Sequence, residues 1–102
     1  MSGRTMPAVA FILHPLDNVA TILGGAAAPG EALALRGVSA GTRAPAAPIP
    51  DGHKFALAPI AAGEAVVKYG VTVGRATADI EAGGHVHIHN MESLRGRGDL
   101  KT

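Results

Sequence analysis

The sequence predicts a small all-β domain built from short, bent strands with little helix. The chain has 102 residues, and Val, Ile, Leu and Phe supply 24 of them, above the roughly 20% at which disorder becomes the default. Fourteen glycines and seven prolines divide the apolar residues into runs that are too short for typical helices. We therefore expect one compact domain over residues 1–102, with many turns and a thin core.

Apolar and β-branched runs bounded by turn-forming residues predict seven strands. In chain order they cover residues 8–13, 19–23, 32–35, 55–57, 65–69, 71–73 and 85–89. The pairs Asp17-Asn18 and Pro29-Gly30 supply the turns before the second and third strands. Helix is limited to a turn or two at residues 23–28 or 91–95.

Two other segments have a distinct character. Residues 39–52 contain three prolines within six positions, which neither a helix interior nor a central strand accommodates, so we expect an extended connection there. Residues 93–102 are expected to be a flexible tail. Residues 60–66 and 80–86 share the pattern apolar-x-Ala-Gly-x-x-Val, which predicts two similar turns that each begin a strand.

Composition excludes several classes of function. The chain contains no cysteine, which removes disulfides, thiolate metal sites and a cysteine nucleophile. A net charge of +1 argues against binding to nucleic acid or to an anionic membrane through bulk charge. No apolar run approaches the roughly 20 residues of a membrane span. We expect a cytoplasmic protein, and the thin core leaves apolar surface for a partner or for a homo-oligomer.

The run His85-Val86-His87-Ile88-His89 is the most unusual feature of the sequence. In a strand its three histidines share one face, with Cα atoms of neighbouring histidines about 6.6 Å apart and Val86 and Ile88 turned to the core. Two imidazoles at that spacing can bind one metal ion, whereas the outer pair, about 13 Å apart, cannot without a bend. At most two of the three are therefore expected as ligands, and a third ligand would come from His14, His53, Asp17 or a second chain. An anion site, or an exposed strand without a ligand, remains an alternative.

Other polar residues form weaker candidates. His53 and Lys54 follow Gly52 and could bind an anion, although an exposed turn is the commoner structure for such a sequence. Lys68 and Tyr69 lie near a strand end and could bind a carboxylate. A third group, His14, Asp17 and Asn18, contains ordinary turn formers.

In their order along the chain, these candidates resemble the N-terminal domain of the altronate and galactarate dehydratase family. The resemblance covers residues 12–92 and implies a β-clip fold of the antifreeze-like group. His85 stands at a position that the family pattern does not match, so the resemblance assigns it no role. The positions that match the family pattern are His14, Asp17, Asn18, His53, Lys54, Lys68, Tyr69, Gly70, His87, His89 and Asn90.

The resemblance also implies a function. Dehydratases of this family carry a much larger second domain, and this chain ends at Thr102. We therefore expect the small subunit of a hydro-lyase that dehydrates a sugar acid such as altronate. It would act with a separate large catalytic subunit and would be inactive alone. The reaction is a β-elimination, in which a base removes the proton α to the carboxylate and a divalent metal stabilises the enediolate.

Site roles follow from the same resemblance. His87 and His89 are expected to bind the metal, which can be Fe, Mn, Mg or Zn, and Lys54 and Lys68 can bind the substrate carboxylate. The catalytic base is not assigned. The residues expected to bind the substrate are His14, Asp17, Asn18, His53, Lys54, Lys68, Tyr69 and Asn90.

Three other functions stay open at this stage. The chain could be the small subunit of a sulfolactate sulfo-lyase, in which sulfite leaves instead of hydroxide. It could be a stand-alone module that binds a carbohydrate or an anion, because a fold does not determine a function. It could also be an oligomerisation domain whose histidines bind nothing.

Overall fold

The computed structural model describes residues 8–93, and within that range the chain forms nine strands and no helix. The all-β prediction is confirmed. The described residues also include no helix with the length and hydropathy of a membrane span. The strands are β1 (Val9–Ile12), β2 (Val19–Leu23), β3 (Leu33–Gly37), β4 (Thr42–Arg43), β5 (Lys54–Ala56), β6 (Ala65–Lys68), β7 (Val71–Ala76), β8 (His85–Val86) and β9 (Met91–Ser93).

The strands form two sheets. The larger sheet has the order β4-β3-β1-β2-β5-β8, and the smaller has the order β6-β7-β9. Most neighbours pair antiparallel, whereas β1 and β3 are parallel. β5 therefore lies between β2 and β8, and this position brings residues from the middle of the sequence beside the histidine-rich run.

Two apolar clusters cover opposite faces of β2 and β5. Side chains alternate along a strand, so Ile22 and Phe55 enter one cluster while Val19 and Ala56 enter the other. Val86 of β8 and Val66 of β6 complete the second cluster. β5 is thus buried on both faces, which holds the segment around it in a defined position.

The two similar turns expected at residues 60–66 and 80–86 are present. The amide of Glu64 donates a hydrogen bond to the carbonyl of Ala61 at 2.9 Å. The amide of Gly84 likewise donates to the carbonyl of Glu81 at 2.9 Å. Gly63 and Gly83 occupy the third position of these turns with φ of 89° and 83°, a conformation that favours glycine. The glycines of the repeated pattern therefore have a backbone role.

Several expectations about local structure are wrong or incomplete. No helical turn forms at residues 23–28, and Met91–Ser93 is strand β9, while residues 94 and 95 lie outside the described range. The segment 39–52 contains strand β4, a buried Pro45 and a bridge from Ile49 to Ala27. Of the expected tail, Ser93 ends β9, and residues 94–102 lie outside the described residues.

The histidine-rich strand is also shorter than expected. Residues 85–89 were expected to form one strand, but β8 ends at Val86 and a turn follows. Val86 is buried as expected, whereas Ile88 is 78% exposed, so the expectation that it faces the core is wrong.

Candidate functional site

The register between β5 and β8 brings three histidines together on one face of the larger sheet. Lys54 pairs with Val86, and Phe55 pairs with His85. Extending this antiparallel register by one residue sets His53 opposite His87. The two rings are stacked with centroids 3.8 Å apart, in agreement with that placement. His53, His85 and His87 therefore share a face, and we call these three residues the His cluster.

The side chain of Asn90 shapes the turn that ends β8. Its Oδ1 accepts a hydrogen bond from the amide of His87 at 3.0 Å, and its Nδ2 donates to the carbonyl of His85 at 2.8 Å. The amide of Asn90 also donates to the carbonyl of His87 at 3.0 Å. These bonds take the place of sheet pairing after Val86, because an Asn side chain can mimic backbone groups in a turn.

The imidazole nitrogens of the His cluster lie close enough to bind one metal ion. One nitrogen from each ring forms a set of three atoms that all lie within 4.8 Å of one another. Nδ1 of His53 and Nε2 of His85 are 2.8 Å apart and share a hydrogen bond. Nitrogens bound to one tetrahedral zinc ion at about 2.0–2.1 Å lie roughly 3.4 Å apart. The three rings are stacked with interplanar angles of 22°, 16° and 8°. They must therefore turn for their in-plane lone pairs to converge on one ion.

The surroundings of the cluster favour uncharged imidazoles. Burial, followed by the nearby charges of His89, His53, His87 and Lys54, lowers the pKa of His85 to about 4. Burial, followed by His53, Lys54 and His89, also lowers the pKa of His87. Neutral imidazole is the form that binds metals. In addition, Nδ1 of His87 is buried without a hydrogen-bond partner among the described residues, so it is free to act as a ligand.

The donor set determines which metals fit. Three imidazole nitrogens suit zinc, iron, cobalt, nickel or copper, whereas magnesium prefers oxygen ligands. Of the metals expected from the sequence, zinc and iron fit this cluster better than magnesium does. Three ligands also leave a coordination position open for a substrate or water.

The charge of one lysine, Lys54, reaches the cluster, and a second lysine, Lys68, lies near the first. Lys54 of β5 is half-buried, and burial followed by the charge of Lys68 lowers the pKa of its ammonium group. Nζ of Lys68 lies 4.9 Å from the centroid of the Tyr69 ring. Across the ladder from Lys54 is Thr21, whose Oγ1 is buried without a hydrogen-bond partner among the described residues. This neighbourhood can attract an anion.

Comparison with known proteins identifies the family. The family model described as the altronate/galactarate dehydratase SAF domain matches residues 8–94. This chain belongs to that family. It is 46% identical over 81 residues to the altronate dehydratase of Escherichia coli K12, covering 79% of this chain and 16% of that protein. It is 49% identical over 49 residues to the (2R)-sulfolactate sulfo-lyase subunit alpha of Paracoccus pantotrophus, covering 48% of this chain and 73% of that subunit.

The Bacillus subtilis altronate dehydratase is a further relative, 38% identical over 81 residues that make up 79% of this chain and 16% of that protein. This chain thus spans about a sixth of the length of the altronate dehydratases it matches. The resemblance inferred from the sequence motifs is confirmed at the level of the family.

Within this SAF domain, two of the residues expected to bind substrate make hydrogen bonds that join the two sheets. Asp17 accepts hydrogen bonds from the amides of Leu13, His14 and Gly70. Asn18 donates to the carbonyl of Ala65 and accepts from the amide of Val67. These bonds link the β1–β2 turn to the β6–β7 hairpin, so both side chains have a structural role in the domain.

His14 packs in the same region. Its Nδ1 accepts a hydrogen bond from the amide of Leu16 at 3.1 Å. A Cβ atom added to Gly70 would lie 2.7 Å from Cδ2 of the His14 ring, so the ring covers the hairpin tip closely. Tyr69 and Gly70 form that tip with φ of 55° and 78°, as a type I′ turn requires.

The structure thus divides the predicted site residues into two groups. Lys54 lies next to His53 in the chain but on the opposite face of the sheet. Asn90 shapes the adjoining turn, and His53 and His87 join His85 in the His cluster. His89 lies beside the three rather than among them, with its ring centroid 4.9 Å from that of His85. The second group, around the hairpin tip, contains His14, Asp17, Asn18 and Tyr69, and Lys68 lies between the two groups.

Sequence reasoning missed two residues of this site. His85 was left out of the ligand set, yet it is the member that hydrogen-bonds to His53. Only the pairing register of β5 with β8 places His85 beside His53, and local sequence patterns do not specify that register. Thr21 carries no signal in the sequence, because a threonine in a strand is common.

Proposed function

We propose that this chain is the small subunit of a hydro-lyase that dehydrates a sugar acid such as altronate. In this proposal a separate large catalytic subunit completes the active site, and the complex is cytoplasmic. Membership of the SAF-domain family and 46% identity to an altronate dehydratase support the reaction class. A relative that is named subunit alpha, of which the match covers 73%, supports the division into two polypeptides.

The observation that carries the proposal is the His cluster, with the charge of Lys54 acting on two of its histidines. A divalent metal held by His53, His85 and His87 would supply Lewis-acid stabilisation of the charge that develops when the α-proton is removed. Lys54 and Lys68 bind the substrate carboxylate as compact cations.

His89 and Asn90 have supporting roles in this proposal. His89 adjoins His85 and contacts the substrate at the edge of the cluster. Asn90 holds the turn that orients His87. The base that removes the α-proton is not assigned to this chain, and we propose that the isolated chain is inactive.

The test begins with the full, tagged chain purified from its native cell, followed by mass spectrometry of the proteins that accompany it. We expect a large dehydratase-like polypeptide, and we expect the pair to dehydrate altronate while the chain alone does not. Turnover by the metal-loaded chain alone would refute the subunit proposal. A chain that elutes alone as a folded homo-oligomer would favour a stand-alone anion-binding module or an oligomerisation domain.

A sulfo-lyase subunit is the second candidate. It is favoured by the 49% identity to a sulfolactate sulfo-lyase subunit alpha, of which the match covers 73%. Assaying the purified pair with altronate and sulfolactate separates the two candidates, because the first releases water and the second releases sulfite.

A further inference from the structure

An acidic groove adjoins the His cluster. It has a volume of about 840 Å³, and His85 and His89 line one end of it. Its apolar surface comes from residues such as Pro59, Ile60 and Ile80. The carboxylates of Glu64, Asp79 and Glu81 also line it, and no lysine or arginine does so among the described residues. We call this feature the acidic groove.

The two similar turns build the acidic groove. Ile60 and Ile80 pair through two backbone hydrogen bonds of 2.9 and 2.8 Å, so the turns that follow them lie side by side. Two of the three carboxylates help to fix these turns. Glu64 accepts a hydrogen bond from the amide of Ala61, and Asp79 accepts one from the amide of Ala62. The walls of the groove are therefore held in place within this chain.

The third carboxylate is available to a partner. Glu81 is exposed, and its side chain makes no hydrogen bond or ion pair within residues 8–93.

The charge of the groove argues against a sugar acid as its occupant. Such a substrate is an anion, and three carboxylates repel it, whereas the charge of Lys54, which reaches the His cluster, attracts it. The complementary occupant is an apolar segment that carries a lysine or an arginine. In the altronate dehydratases, the matched region is only 16% of the protein, so a SAF domain there has a large neighbouring polypeptide.

We infer that the acidic groove binds an extended segment of the large catalytic subunit, with apolar side chains on the groove floor and a basic side chain against Glu81. This inference rests on the proposed function, because it needs that subunit. Since His85 and His89 line the groove, docking there brings the large subunit against the His cluster and completes the site.

The repeated turns provide a matched pair of variants. Ala82 and Ala62 are exposed residues at the second position of the two turns, but only Ala82 lines the groove. The probe is the large polypeptide that co-purifies with the full-length wild-type chain, separated and then re-bound to each variant in an interferometry assay. We expect Ala82→Trp to weaken binding by about tenfold or more. Ala62→Trp is expected to stay within about twofold of the wild type.

A charge reversal tests the basic residue independently. Glu81→Lys is expected to weaken binding and to reduce its dependence on salt, because an attractive charge pair is lost. Asp51→Lys makes the same change of net charge at an exposed turn residue outside the groove and is expected to bind as the wild type does. This second pair keeps the inference testable if the tryptophan variant does not fold, which thermal melting of each variant establishes.

Each outcome has a distinct meaning. If no large polypeptide accompanies the wild-type chain, both the proposed function and this inference are wrong. If it binds Ala82→Trp and Glu81→Lys as tightly as the wild type, only the groove inference is wrong. The groove inference also fails if sedimentation shows that Ala82→Trp breaks a homodimer, since the occupant is then a second copy of this chain.

Discussion

Removing one histidine of the cluster should greatly weaken metal binding. His53 contributes one of three nitrogens that lie within 4.8 Å of one another. Structural zinc sites with four ligands bind with about 10–16 kcal/mol, or about 2.5–4 kcal/mol for each ligand. Each 1.4 kcal/mol is a factor of ten in affinity, so His53→Ala is expected to weaken zinc binding roughly 100- to 1,000-fold.

His89→Ala is the matched comparison. It also removes one imidazole from the same region, but His89 does not belong to the set of three. We expect a change of about threefold or less, below the roughly 10- to 100-fold that follows the loss of a group bonded directly to a ligand. The assay is competition for zinc between the metal-free full chain and a coloured chelator at pH 7, supported by the visible absorption of bound cobalt.

The assay distinguishes the cluster from the pair expected from the sequence. If His89→Ala loses binding while His53→Ala binds as the wild type does, then His87 and His89 form the site and the argument from the β5–β8 register is refuted. If neither variant changes the affinity, the three nitrogens do not bind metal at all. Circular dichroism of both variants excludes unfolding as the cause of a loss.

Three further outcomes are expected of the metal-free chain. NMR titration should give His85 a pKa of about 4, and because its unfolded value is near 6.5, stability measured by urea unfolding should fall as the pH falls from 6.5 towards 4. Gly70→Ala should lower the free energy of unfolding by more than Gly63→Ala does. The Gly63 variant is expected to lose only the roughly 1–2 kcal/mol that a left-handed backbone conformation costs a residue with a Cβ atom. The added Cβ at Gly70 meets the His14 ring, whereas that at Gly63 meets open space. Asn18→Ala should cost about 1–3 kcal/mol in urea unfolding, because two hydrogen bonds between the sheets are lost.

Local patterns predict much of the fold, but they do not predict the pairing of strands that are distant in the sequence. The run at 19–23 forms β2 with the expected bounds, because its β-branched residues are buried and its turn is specified by Asp17 and Asn18. β4, in contrast, was not predicted. Its two residues pair with Leu33 and Ala34, and neither propensity nor periodicity contains that information.

The dependence on long-range pairing also explains why the ligand set predicted from the sequence differs from the His cluster. The alternation of histidines at 85, 87 and 89 indicates a candidate site, but it assumes that the strand continues. The side chain of Asn90 ends it after Val86, which leaves His89 outside the cluster. His53 lies 32 positions before His85, and only the pairing of β5 with β8 brings them together. A single sequence therefore identified the histidines but not the set they form.

His85 belongs both to the His cluster and to the acidic groove. One nitrogen of its ring meets His53 in the cluster, and the same residue lines the acidic groove. A segment that docks in the groove therefore contacts a residue whose orientation also determines how the three imidazoles approach an ion. Because a thermodynamic cycle must close, any strengthening of metal binding by the docked segment equals the strengthening of docking by the metal. In the proposed complex, His85 is therefore the residue through which docking and metal binding would influence each other.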